Sequence, residues 1–113
     1  MNIATTDRGG VTVFAVQGRL DGNHAAEAEA AFLKLASQER CRFVFDFTEM
    51  PYISSAGLRV VLVAAKKIRA LQGQLICAGM SEQVAEVFEM SGFLSILETV
   101  PTVEEAEARL QTE

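Results

Sequence analysis

The sequence is poor in the residues that build metal and redox centres. One histidine, His24, is too few for a histidine-based metal cluster, and the two cysteines, Cys41 and Cys77, lie at a spacing that matches no zinc or dithiol motif. Both cysteines sit in apolar stretches and read as reduced core residues. Basic residues are also scarce: 10 Lys and Arg stand against 15 Asp and Glu, a net charge of −5. That balance argues against nucleic-acid binding, which usually needs a basic face. It leaves room for a protein partner with a basic patch. No apolar run reaches about 18 residues, so no membrane span is expected. Met1–Asp7 lacks both a basic start and an apolar core, so no signal peptide is expected and the cytoplasm is the default location.

What is present is apolar character: half of the 113 residues are hydrophobic. A chain of this length is about one domain's worth, and a globular fold of that size hides roughly two thirds of its unfolded surface. Residues 1–113 therefore read as one domain, with no internal repeat, low-complexity tract or linker. Two prolines, Pro51 and Pro101, each punctuate a boundary.

Hydrophobic periodicity supplies the elements. A hairpin is expected from Asn2–Thr6 and Val11–Gln17, turned at Gly9-Gly10. The Gly18–Asn23 loop follows, with Asp21 or Asn23 as a candidate cap for a helix over His24–Gln38 whose stripe is Ala25, Ala28, Phe32 and Leu35. Cys41–Phe47 reads as a central strand, with Phe43, Phe45 and Phe47 on one face and Val44 on the other. A second helix opens in Tyr52–Leu58 and runs to about Leu71, its stripe being Leu58, Val61, Leu62, Ala65 and Ile68 and its stop Gly73. Gln74–Ala78 is a buried strand. Ser81 caps a helix over Glu82–Met90, with Val84, Val87 and Phe88 inward. Leu94–Thr99 has the composition of a last short strand, and Thr102 to Glu105 forms a capping box for a final helix ending near Gln111. The order β-β-α-β-α-β-α-β-α predicts an α/β fold with a mainly parallel sheet, an antiparallel N-terminal strand and four helices.

In open α/β sheets, sites gather where strands run into helices. Two such loops stand out, Gly18–Asn23 and Tyr52–Gly57, and they lie side by side if their strands are neighbours. Enzyme signatures are missing. There is no Gly-x-Ser-x-Gly elbow, no Gly-x-Gly-x-x-Gly and no phosphate loop. The one conceivable triad joins Ser54 or Ser55 to His24 and Asp21, and the one conceivable chelating pair is Asp21 with Asp46. In the plainer reading Asp21 caps a turn and Asp46 ends a strand. No metal or cofactor is expected. Ser54 and Ser55 read as N-cap and first residue of the second helix. An exposed hydroxyl there is also a good phosphorylation site, because free N–H groups and the helix dipole favour a phosphate.

Four segments carry a family resemblance: Tyr52-Ile-Ser-Ser-Ala-Gly-Leu58 with Val60-Val-Leu and Ala64-Ala-Lys-Lys, Gly18-Arg-Leu-Asp21, Phe43-Val-Phe-Asp46, and Phe88-Glu-Met-Ser-Gly-Phe93. In their order along the chain they resemble the STAS domain, a family that includes bacterial anti-sigma factor antagonists. The resemblance implies a partner switch. The unmodified antagonist binds an anti-sigma factor that is also a serine kinase, is phosphorylated and released, and is reset by a serine phosphatase. The family's usual motif is Asp-Ser-[Ser/Thr]-Gly-Leu, phosphorylated on the residue after the Asp. Aligned on Gly57-Leu58, the acceptor is Ser55, Ser54 stands in the place of the Asp, and Ala56 in that of the second hydroxyl. The expected partner surface comprises Asp21, Gly22, Asn23, His24, Ser54, Ser55, Ala56, Gly57 and Arg59, with Arg59 and Lys66 as its polar rim. Two other readings remain open: a STAS scaffold or transporter-associated subunit without a phospho-switch, and a small enzyme.

Overall fold

The structure, a computed structural model, describes residues 1–111. The elements are β1 (Asn2–Arg8), β2 (Val11–Gln17), α1 (Ala25–Ala36), β3 (Arg42–Asp46), α2 (Ser55–Ala70), β4 (Gln74–Ala78), α3 (Glu82–Met90), β5 (Glu98–Val100) and α4 (Val103–Gln111). They form one five-stranded sheet in the order β1-β2-β3-β4-β5. β1 and β2 are antiparallel and pair along their full length, from Asn2 opposite Gln17 to Arg8 opposite Val11. The other pairs are parallel.

The period-2 alternation of β3 sorts its side chains into two cores. Phe43, Phe45 and Phe47 pack with Ala28, Phe32 and Ala36 of α1, Leu58, Val61 and Ile68 of α2, and Val84 and Phe88 of α3. Val44 faces the opposite way, with Val11, Val13, Ile76, Ala78, and Ala106 and Leu110 of α4. The sheet thus carries three helices on one face and one on the other, which is why β3 reads as nearly continuous apolar sequence. Phe45 sits at the centre, its ring 5.3 Å from Phe14 and 5.5 Å from Phe32 between centroids. Cys77 is fully buried and Cys41 half-buried, and both are free thiols.

Several expectations shift. α1 stops at Ala36, short of Gln38: the Ser37 hydroxyl donates back to Lys34 O at 2.7 Å, and Glu39 takes a left-handed φ of 66°. Neither Asp21 nor Asn23 caps α1. The N-cap is His24, whose side chain makes no capping bond, and the Asp21 carboxylate is turned into its own loop, accepting from Asn23 N–H. On α2, Val60 and Ala64 are buried while Leu62 and Ala65 are half-buried, because this helix packs on α1 as well as on the sheet. Leu35 is only half-buried, and Ala36 is buried in its place. The left-handed residue that stops α2 is Gln72, at φ 59°, with Gly73 N–H donating to Ile68 O at 2.9 Å and Gln72 N–H to Arg69 O at 3.0 Å. Gly73 serves close packing instead: a Cβ there would lie 2.1 Å from Cys41 O. Leu94–Thr99 is not one strand. Phe93–Ser95 forms a turn of 3-10 helix, and the strand is confined to Glu98–Val100.

Candidate functional site

β2 and β3 are parallel neighbours, so the loops leaving their carboxyl ends emerge together. A backbone bridge ties them. Leu20 N–H donates to Tyr52 O, and Ser54 N–H donates to Leu20 O, each at 3.0 Å. α2 starts one residue beyond the bridge, so its N-terminus is anchored to the Gly18–Asn23 loop.

Gly57 makes that approach possible. A Cβ at position 57 would lie 2.6 Å from Leu20 O and 2.7 Å from Ile53 Cγ1. Gly57 is buried, so it does not present a surface to a partner as expected from the sequence. It lets the two loops close on each other. The other expected residues are reachable to different degrees. Gly22, Asn23, Ser55, Arg59 and Lys66 are exposed, and Asp21, His24, Ser54 and Ala56 are half-buried.

The two serines divide their tasks. Ser54 is the N-cap of α2, in extended conformation, and its Oγ accepts from Gly57 N–H at 3.2 Å. Ser55 is the first helical residue, and its hydroxyl has no partner among the described residues. The first turn of α2 contains no acidic residue.

Asp21 organises the facing loop. Its Oδ1 accepts from Asn23 N–H at 3.0 Å and lies 2.9 Å from His24 Nδ1. Partial burial works against its ionisation. The hydrogen bonds from His24 and Asn23, with the charges of His24 and Arg19, outweigh that and hold the carboxyl below the usual carboxylate range. Arg19 lies 3.9 Å from Asp21 and stacks over the Tyr52 ring, 4.1 Å from its centroid. Arg19 and Tyr52 were absent from the expected site. Each stands two positions from an expected residue in sequence, Arg19 from Asp21 and Tyr52 from Ser54, but their contact depends on the bridge between loops.

The triad geometry is not assembled. Asp21 and His24 pair, but no hydrogen bond joins His24 to Ser54 or Ser55 among the described residues. Asp46 ends β3 as a turn former, accepting from Thr48 N–H at 2.9 Å. No group of three or more metal-ligating side chains occurs among the described residues.

Beside Ser55 runs a shallow groove of about 450 Å³ between α1 and α2, floored by Ala25, Ala26, Ala30 and Ala56 and flanked by Glu29 and Arg59. The small alanines let the helices approach and leave an apolar floor. An exposed hydroxyl, an apolar trough and charged flanks together suit macromolecular contact better than a small-molecule site, which is normally enclosed.

Comparison with known proteins agrees with this arrangement. Residues 2–106 match the STAS domain family. A Bordetella bronchiseptica protein named as a candidate anti-sigma factor antagonist, BtrV, is 40% identical over 103 residues, covering 91% of this chain and 89% of that protein. The anti-sigma-B factor antagonist of Listeria monocytogenes is 30% identical over 98 residues, covering 87% of this chain and 85% of that protein. Among solved structures, the Bacillus cell fate determinant SpoIIAA in its phosphorylated form superposes with a TM-score of 0.75 at 22% identity, covering 96% of this chain and 98% of SpoIIAA. That last likeness is one of fold. The sheet with its antiparallel first strand, the bridged loops ahead of α2 and the sequence match over residues 2–106 lead to one assignment: the chain belongs to the STAS domain family.

Proposed function

We propose that this chain is an anti-sigma factor antagonist, acting as one domain over residues 1–113 in the cytoplasm and controlled by reversible phosphorylation of Ser55. It is a binding regulator rather than an enzyme. Its partners are an anti-sigma factor with serine kinase activity and a serine phosphatase. The observation that carries the reading is Ser55 itself, exposed and without a hydrogen-bond partner among the described residues, at the first position of α2 on a surface built from two bridged loops. The names of the relatives support the partner class.

The chemistry follows from the geometry. The γ-phosphoryl group of ATP passes to Ser55 Oγ, the hydroxyl proton goes to a base of the kinase, and ADP leaves. The product adds roughly 1.5 to 2 negative charges at a helix N-terminus, where the dipole and free N–H groups accommodate them. The fold survives. The partner contact does not, because a dianion brought into a packed interface must be paired or hydrated. Ser54 is a poor alternative acceptor, since its oxygen is engaged by Gly57 N–H.

The test is phosphosite mapping after incubation with the cognate anti-sigma kinase and ATP. Ser55→Ala should bind the kinase but resist release, and Ser55→Asp should bind poorly. Asp21→Asn should weaken association with little change in Tm. Phosphate on Ser54, or incorporation undiminished in Ser55→Ala, would overturn the assignment.

A further inference from the structure

We infer that Arg59 is the intramolecular partner of a phosphate on Ser55. This rests on the reading of Ser55 as the phosphoacceptor and goes beyond it, since it assigns a residue that senses the modified state.

The positions are four apart on α2, so they stand one above the other on the same helix face, with Cβ atoms about 5–6 Å apart. Side chains on a helix lean toward its N-terminus, so Arg59 leans back over the first turn, toward Ser55. An anion N-terminal to a cation at this spacing is the more favourable order, and the phosphate itself also complements the dipole. A guanidinium donates to a phosphate through two parallel N–H groups.

The other basic side chains of the two loops are occupied. Arg19 stacks on Tyr52 and lies 3.9 Å from Asp21, and His24 lies 2.9 Å from the same carboxylate. Arg59 is exposed and has no ion-pair or hydrogen-bond partner among the described residues. Glu29 flanks the same groove from α1 but makes no ion pair with it among the described residues. No acid in the first turn of α2 competes for the guanidinium.

The consequence reaches the groove. Arg59 lines the trough between α1 and α2. Pairing with the phosphate draws that cation toward the helix N-terminus, so modification both adds a dianion at one end of the trough and withdraws its basic flank. A partner that uses the cation for an acidic group of its own loses it at the same moment.

The experiment is a 31P NMR pH titration of the full chain carrying phosphoserine installed at position 55 during synthesis, alone and with Arg59→Gln or Arg59→Lys. The phosphate midpoint should rise by about 0.15 to 0.4 pH unit in Arg59→Gln, the equivalent of one helical ion pair, and return most of the way in Arg59→Lys. The difference should shrink in 1 M salt. Equal midpoints in the wild type and Arg59→Gln would overturn the pairing. Because no kinase installs the phosphate, that failure is separate from failure of the Ser55 assignment, which the kinase mapping decides.

Discussion

Replacing Gly57 with alanine tests whether the two loops are held by contact. In an open helix the change would be favourable by up to about 1 kcal/mol, because alanine is the better helix former. Here the new methyl would arrive 2.6 Å from Leu20 O, 2.7 Å from Ile53 Cγ1 and 3.0 Å from Leu20 Cγ. The nearest atom is a backbone oxygen that accepts the Ser54 N–H, so it cannot swing aside without straining the bridge. Overpacking of this kind costs about 1–3 kcal/mol, and each weakened hydrogen bond about 0.5–1.5. Set against the propensity gain, Gly57→Ala should destabilise the fold by about 1–3 kcal/mol. Urea unfolding followed by circular dichroism reads the loss as a lower midpoint at unchanged slope. Amide exchange reads its location: the Leu20 and Ser54 amides, which form the bridge, should lose protection while those of β3 and β4 keep theirs beyond the global change. A variant as stable as the wild type, with Leu20 and Ser54 still protected, would refute the close-contact argument.

Two further outcomes follow from the core. Phe45 is 2% exposed and packed on Phe14, Phe32 and Phe47, so Phe45→Ala should cost about 3–5 kcal/mol in urea unfolding; a loss under about 1 would show that the ring is not central. Burial pushes the Cys77 thiol up to about 12, so a thiol reagent near pH 8 should label Cys41 in the native protein and reach Cys77 only on unfolding. Because the folded form keeps its proton where the unfolded thiol gives it up, Cys77 contributes stability that is intact below about pH 9 and falls as pH rises toward 12. Cys77→Ala should flatten that alkaline slope.

Element order, the central phenylalanine strand and the place of Ser54 as cap of α2, with Ser55 at its first position, were all legible in the residues themselves. These depend on short-range physics: period-2 and helical spacing, and the duty of an N-cap hydroxyl to bond the N–H a turn ahead. Even the neighbourhood of the two loops was legible, since parallel strands joined by single crossovers bring their carboxyl ends together. What the tertiary structure alone decided concerns contacts across the chain. Gly57 looked like an open surface position, because a missing side chain reads the same whether it faces solvent or a carbonyl; only the Leu20 bridge shows which. Gly73 looked like a helix stop, yet Gln72 takes the left-handed turn, and the missing side chain at 73 serves the close approach of Cys41 instead. Asp21 or Asn23 looked like a cap for α1; the Asp21 carboxylate instead closes its own turn on Asn23 N–H, as the plainer reading had it, and meets His24 and Arg19. Arg19 met Tyr52 and Val60 was buried through packing between segments distant in the chain, and local periodicity carries no record of such meetings.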